Sequence, residues 1–181
     1  MLESIQNLDN LVLEFIQVNM RHYILDVLLP YITILGNYGF IWIVTAIVFL
    51  SQRKLKTTGI TILTALLLCV LFGNFGIKLL VARPRPCDID HEVILLIPRP
   101  TDYSFPSGHV MSSFASATVI FTNNRRFGIG AIMLGLVIAF SRLYLYVHYL
   151  TDVIGGIAIG IIIGYGSILL YKTIKNRQCF H

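Results

Sequence analysis

The sequence predicts an all-α fold: a polytopic membrane bundle of about five transmembrane helices, preceded by an N-terminal amphipathic interfacial helix. Three observations predict it. Of 181 residues, 56% are hydrophobic and only 13% are charged, about half the charge that a soluble domain carries. Mean hydropathy is +0.77. The uncharged residues also run in stretches long enough to cross a bilayer. Together these exclude a disordered chain, a disulfide scaffold and an ordinary cytosolic enzyme, and the length fits a single domain over residues 1–181.

Residues 1–22 open the chain. Leu2, Ile5, Leu8, Val12, Phe15 and Ile16 recur at helical spacing, with Glu3, Gln6, Asp9 and Glu14 between them. That pattern predicts a helix lying at the membrane surface. It has no basic n-region and no long apolar h-region, so it does not read as a signal peptide. Val27 to Gln52 is the first span, broken by Pro30 and by the cluster Gly36-Asn37-Tyr38-Gly39. Thr57 to Ile77 holds no charged residue, and at about 1.5 Å per residue it covers the ~30 Å hydrocarbon core. A loop over 83–105 follows. Val110 to Asn124 and Phe127 to Ser141 are shorter spans that can lengthen through polar residues facing the bundle interior. Val153 to Tyr171, dense in Ile and Gly, is the fifth, and 172–181 form a tail.

Loop charges predict the orientation. Arg53, Lys54 and Lys56 fill one connection, Arg125 and Arg126 another, and Lys172, Lys175 and Arg177 the tail. With five spans these segments fall on one side, which the positive-inside rule makes cytoplasmic. The net charge of +5 does not form a single basic stripe, so no nucleic-acid partner is expected. Cys69, Cys87 and Cys179 are scattered, and an odd count without metal-site spacing reads as three unpaired thiols.

The chemistry gathers at the other surface. Lys78 lies about two turns below the end of the second span, and Pro84 and Pro86 force Arg83 and Arg85 out of helical geometry. Ions at that depth are costly unless paired, which implies an anionic partner, although long basic side chains also snorkel. Phe105-Pro106-Ser107-Gly108-His109 opens the third span. The free N–H groups of a helix start favour an anion, Gly108 lets it approach, and Ser107 adds a hydroxyl donor. His148 and Asp152 are four residues apart and would share a helical face. A carboxylate holding one imidazole nitrogen leaves the other as a base or nucleophile. Arg142 is too far round one helix to neighbour His148 and must join across a bend.

These residues resemble the type 2 phosphatidic acid phosphatase (PAP2) family, whose three-part signature reads K-x6-R-P, P-S-G-H and S-R-x5-H-x3-D. The matching residues are Lys78 to Arg85-Pro86, Pro106 to His109, and Ser141-Arg142 to His148 and Asp152. The short form resembles bacterial undecaprenyl-diphosphate phosphatases. The resemblance implies a plasma-membrane enzyme, with its active site on the extracytoplasmic side, that removes phosphate from a lipid (di)phosphate through a phosphohistidine. In that reading His148 attacks phosphorus, Asp152 orients it, and His109 protonates the leaving oxygen. Lys78, Arg85, Arg142, Ser107 and Gly108 hold the phosphoryl oxygens.

No metal or other cofactor is expected, since three fixed cations can neutralise the transferring group. A metal-dependent phosphatase using the loop Cys87-Asp88-Ile89-Asp90-His91-Glu92 is the nearest rival. A transporter is the other, weakened because no internal repeat or paired interrupted helices are evident. Arg83, Arg99 and the stretch from Pro98 to Tyr103 are candidate headgroup contacts, while Tyr144, Tyr146 and Tyr149 read as an interfacial aromatic belt. Neither the particular lipid nor the oligomeric state is encoded in any motif.

Overall fold

In lipid, an apolar segment can satisfy its backbone only by closing its hydrogen bonds internally, which a helix does. The computed structural model describes residues 2–178, and every regular element among them is helical. The order is α1 (Leu2–Asn19), α2 (Tyr23–Gly36), α3 (Phe40–Leu50), α4 (Lys56–Leu68), α5 (Lys78–Val81), α6 (Pro86–Ile89), α7 (Gly108–Asn123), α8 (Arg125–Tyr144) and α9 (Leu150–Gln178). A π-helical stretch, Cys69–Ile77, joins α4 to α5 without a break.

Four helices are long and apolar enough to cross a membrane: Tyr23–Leu50, Lys56–Ile89, Arg125–Tyr144 and Leu150–Arg177. The protein is therefore a multi-pass membrane protein. The fifth expected span corresponds to α7, whose 16 residues give about 24 Å, short of a ~30 Å core. It is instead the central helix, with Val110 to Ala117 buried without interruption. Pro30 sits inside α2 without ending it, whereas Asn37–Gly39 does break the first span. There Tyr38 (φ 52°) and Gly39 (φ 71°) take left-handed conformations. The expected tail is helical as far as Gln178, because α9 simply continues, and Cys179 lies outside the described residues. Cys69 and Cys87 are free and buried.

Two contacts gather the basic connections at one end of the bundle. The rings of Phe49 and Phe127 are 6.5 Å apart, and the Thr57 and Tyr171 hydroxyls are 3.3 Å apart. At the opposite end, α7 and α9 approach unusually closely. A Cβ on Gly156 would lie 3.0 Å from the Ser107 carbonyl, one on Gly160 2.5 Å from that of Met111, and one on Gly164 2.7 Å from that of Ala115. The four-residue glycine spacing thus lets two backbones touch, as small residues do between helices in lipid. It also sets the first turn of α9 directly beside that of α7.

The N-terminal helix is rotated from the expected stripe. Leu13 and Ile16 are buried, but Ile5, Leu8 and Phe15 are exposed, together with Leu11 and Val18. The face turned inward is Asp9, Leu13 and Ile16, packed where α8 and α9 meet, and it carries a carboxylate that is 0% exposed. A polar pairing partner, described below, outweighs the apolar period that would have turned this face outward.

Candidate active site

Each part of the site is placed by a local break in a helix. The π-helical stretch ends at Ile77, and Lys78 follows it, buried. Ala82 takes a left-handed conformation (φ 46°) and stops α5. Pro86 then keeps Arg85 extended (φ −81°, ψ 157°) at the N-cap of α6, where its N–H donates to Asp88 Oδ2 at 3.2 Å. The buried Arg85 guanidinium is fully used. Nη1 donates to the Val147 carbonyl at 2.6 Å and to His148 Nε2 at 3.0 Å. Nε donates to the Asp102 carbonyl and Nη2 to Asp102 Oδ1, both at 2.7 Å. Lys78 Nζ donates to the other carboxylate oxygen, Asp102 Oδ2. One loop carboxylate thus bridges two of the expected phosphate-binding cations.

Ser107 is the N-cap of α7, yet its hydroxyl makes no capping bond. Its Oγ is buried and has no partner, and the same holds for Nε of the buried Arg142. Unsatisfied buried donors are rare and point to a partner that arrives from outside. Gly108 follows, where a Cβ would lie 3.4 Å from Asn74 Oδ1. Arg142 lies in the last turn of α8 and donates through Nη1 to Thr33 on α2. His109 Nε2 is 2.8 Å from Asn37 Oδ1, in the break between α2 and α3. The ring lies so close to α2 that a Cβ on Gly36 would come within 2.6 Å of its Cδ2. The charged groups that act on His109 are Arg142, His148, Arg85 and Lys78, so the ring opens onto the same cup.

His148 and Asp152 meet, though not along one helix. α9 begins only at Leu150, and residues 145–149 form a turn in which Tyr146 is left-handed (φ 59°) and Val147 N–H donates to the Arg142 carbonyl. This turn is the bend that brings Arg142 and His148 together. Asp152 Oδ2 accepts from Tyr149 N–H at 2.8 Å and from Ser104 Oγ, and it lies 3.5 Å from His148 Nδ1. Ser104 Oγ is itself 3.4 Å from that nitrogen. Because a guanidinium can only donate, Arg85 fixes the lone pair on Nε2 and leaves the ring proton on Nδ1, facing the carboxylate. Burial, followed by the positive charges of Arg85, Arg142 and Lys78, holds the ring well below its ordinary value of 6.5, with Asp102 opposing. Burial alone would raise Asp102, but the Lys78 hydrogen bond and the Arg85 charge hold its carboxyl well below the usual range.

All eight expected site residues therefore surround one cup. The expectation for Arg83 is corrected. It turns away from the cup, paired with Asp9 and Asp152, and its guanidinium lies 4.0 Å from the centre of the Tyr149 ring. Arg99 faces His91 and Asp88. Asp90 is engaged by Tyr146 OH and Glu92 N–H. Among the described residues, no three His, Cys, Asp or Glu side chains converge as metal ligands would. Sequence reasoning missed Asp102, Ser104, Thr33 and Asn37. The first two stand just before the P-S-G-H segment, but nothing in their spacing says that a loop will fold back over Lys78.

Residues 58–177 match the model of the PAP2 superfamily. The undecaprenyl-diphosphatase of Sulfolobus acidocaldarius is 30% identical over 142 residues, covering 77% of this chain and 68% of that protein. The undecaprenyl-diphosphatase BcrC of Bacillus subtilis is 32% identical over 115 residues, covering 64% of this chain and 56% of that protein. In three dimensions the chain resembles LpxE of Aquifex aeolicus, with a TM-score of 0.73 and 29% identity over 89% of this chain and 94% of that one.

Proposed function

The chain belongs to the PAP2 superfamily and is a membrane lipid phosphatase, and from that premise we propose that its substrate is undecaprenyl diphosphate, cleaved through a phosphohistidine on His148. The observation that carries the mechanism is the pair of buried, partnerless donors, Ser107 Oγ and Arg142 Nε, beside Lys78, Arg85 and the free lone pair of His148. A terminal phosphoryl group supplies the acceptors these donors lack. Phosphoryl transfer asks mainly for positioning and charge neutralisation, and three cations in a buried cup provide both. The lipid name comes from the two curated relatives.

The steps balance as follows. Nε2 of His148 forms a bond to the terminal phosphorus while the bridging P–O bond breaks. Its electron pair leaves with undecaprenyl phosphate, and His109 donates the proton to that oxygen. Asp152 holds the Nδ1 proton and offsets the positive charge that the ring acquires. His109, now neutral, takes a proton from water as its oxygen attacks phosphorus, and the N–P bond breaks to release inorganic phosphate and free His148. Before the first step, Asp102 and His148 must give up Arg85, whose donors then turn to the phosphoryl oxygens. The basic end of the bundle supports a cytoplasmic location for that face and an extracytoplasmic site in a bacterial plasma membrane.

The test is phosphate release by the purified protein on a lipid panel: undecaprenyl diphosphate, phosphatidylglycerophosphate, phosphatidate and a lipid A phosphate. The expected result is the highest kcat/KM on undecaprenyl diphosphate and none with His148→Ala, which should remain folded in detergent. A higher value on another lipid overturns the substrate assignment. Full activity in His148→Ala overturns the nucleophile.

A further inference from the structure

Asp9 belongs to none of the signature segments and lies well ahead of the matched residues 58–177. Yet it is 0% exposed, and its carboxylate is saturated. Oδ1 accepts from Thr151 N–H at 2.9 Å, and Oδ2 accepts from Thr151 Oγ1 and from Arg83 Nη2, the latter at 2.7 Å. Arg83 bridges onward. Its Nη1 donates to Asp152 Oδ1 at 2.8 Å and to Thr151 Oγ1 at 2.7 Å, while Nη2 also donates to Gln6 Oε1 at 2.7 Å. The chain of contacts runs from α1 through Arg83 to the first turn of α9 and so to the carboxylate facing His148.

We propose that Asp9 is a positioning residue for the phosphatase reaction, and that α1 sets the strength of the Asp152–His148 pair through Arg83. The physical reason is charge sharing. Asp152 must stabilise the cation that His148 becomes when phosphorylated, yet one of its two oxygens is bound to a guanidinium. Alone, Arg83 would neutralise Asp152 and weaken it as a partner for His148. Asp9 supplies the second negative charge, so the triad Asp9–Arg83–Asp152 keeps one net negative charge next to the imidazole. Geometry is coupled in the same way, because Asp9 holds both the backbone and the hydroxyl of Thr151, the residue before Asp152. Such buried charges act as a unit, since removing one member leaves the others uncompensated. The outward apolar face of α1 (Leu8, Leu11, Phe15, Val18) places this control on a helix that meets the bilayer.

The inference rests on His148 as nucleophile, and the experiment separates the two. The groups facing His148 are Asp152 from α9, Arg85 ahead of α6, Arg142 from α8, Lys78 from α5, His109 from α7 and loop residue Asp102. None of these is altered in the variants Asp9→Asn, Arg83→Gln, their double, and Gln6→Leu, which removes an acceptor of Arg83 without touching a buried charge. Phosphate release from undecaprenyl diphosphate in detergent is measured against pH, with thermal melts alongside.

For Asp9→Asn the expected result is kcat lower by about tenfold, or ~1.4 kcal/mol, with KM unchanged. The acid limb should move to lower pH, because Asp152 then holds the His148 proton less well. Gln6→Leu should shift both in the same direction by less. The double variant should lose less than the two single losses combined, the mark of residues acting through one another. Additive losses, an unmoved acid limb, or a change in KM alone overturn the proposal. If Asp9→Asn does not fold, the acid limb of Gln6→Leu decides in the same way. Activity in His148→Ala would instead remove the nucleophile itself.

Discussion

Ser107→Ala separates binding from folding more sharply than any other change in the site. Most buried hydroxyls serve stability, and their loss costs stability. The Ser107 Oγ is buried and bonded to nothing, although the residue is the N-cap of α7 and its backbone N–H is held by the Asp152 carbonyl at 3.2 Å. An unsatisfied buried polar group costs about 1 to 3 kcal/mol. Replacing it by a methyl group should therefore leave the melting temperature in detergent unchanged or raise it. The same hydroxyl donates to a charged phosphoryl oxygen when substrate is present, and hydrogen bonds to charged groups are worth about 1.5 to 3 kcal/mol. At 1.36 kcal/mol per tenfold, kcat/KM should fall by roughly 10- to 150-fold. The assay is initial-rate phosphate release beside a thermal melt of the same preparation. Ser104→Ala is the contrast, because that hydroxyl bonds Asp152 and its loss should lower both quantities. A Ser107→Ala protein that melts lower, or keeps full kcat/KM, would refute the reasoning that the orphaned donor awaits phosphate.

Two further outcomes follow from the same cup. Asp102 bridges Lys78 and Arg85 with a side chain that is 55% exposed, so it competes with any anion for those cations. Asp102→Asn should let inorganic phosphate inhibit at about tenfold lower concentration, a gain of ~1.4 kcal/mol; an unchanged or weaker inhibition would contradict that competition. The second concerns pH. His148 attacks in its neutral form, and burial together with the surrounding cations lowers its affinity for protons below the ordinary value of 6.5. Activity should therefore persist as pH falls through 6.5 and be lost only below it, because the lowered group is still neutral there. The unfolded chain regains an ordinary histidine and binds that proton, so stability should begin to decline at the pH where activity still holds. An acid limb of kcat/KM centred at or above 6.5 would refute the assignment.

The contrast between Asp152 and Asp9 explains how much of this site could be read from the sequence. Spans, charge asymmetry and the three motifs are local properties, carried by residue type and spacing, and the cup they predict is the one that forms. The meeting of α7 and α9 was equally legible in principle, since Gly156, Gly160 and Gly164 recur at the spacing that lets helices touch, and that contact aligns Ser107 with Asp152. Pairings across long separations were not legible. Asp9 sits in a helix whose apolar period points elsewhere, and it is buried because Arg83 and Thr151, more than seventy residues away, use up its lone pairs. Asp102 reads as one acid in a polar loop until Lys78 and Arg85 fix it. In both cases a charge found its place by what could neutralise it in a low-dielectric interior, an energy larger than the few tenths of a kcal/mol that helical periodicity contributes per position. A hydrophobic pattern cannot register such a preference. The charged residues that break the apolar pattern here, Asp9 among them, are therefore where the catalytic geometry is set.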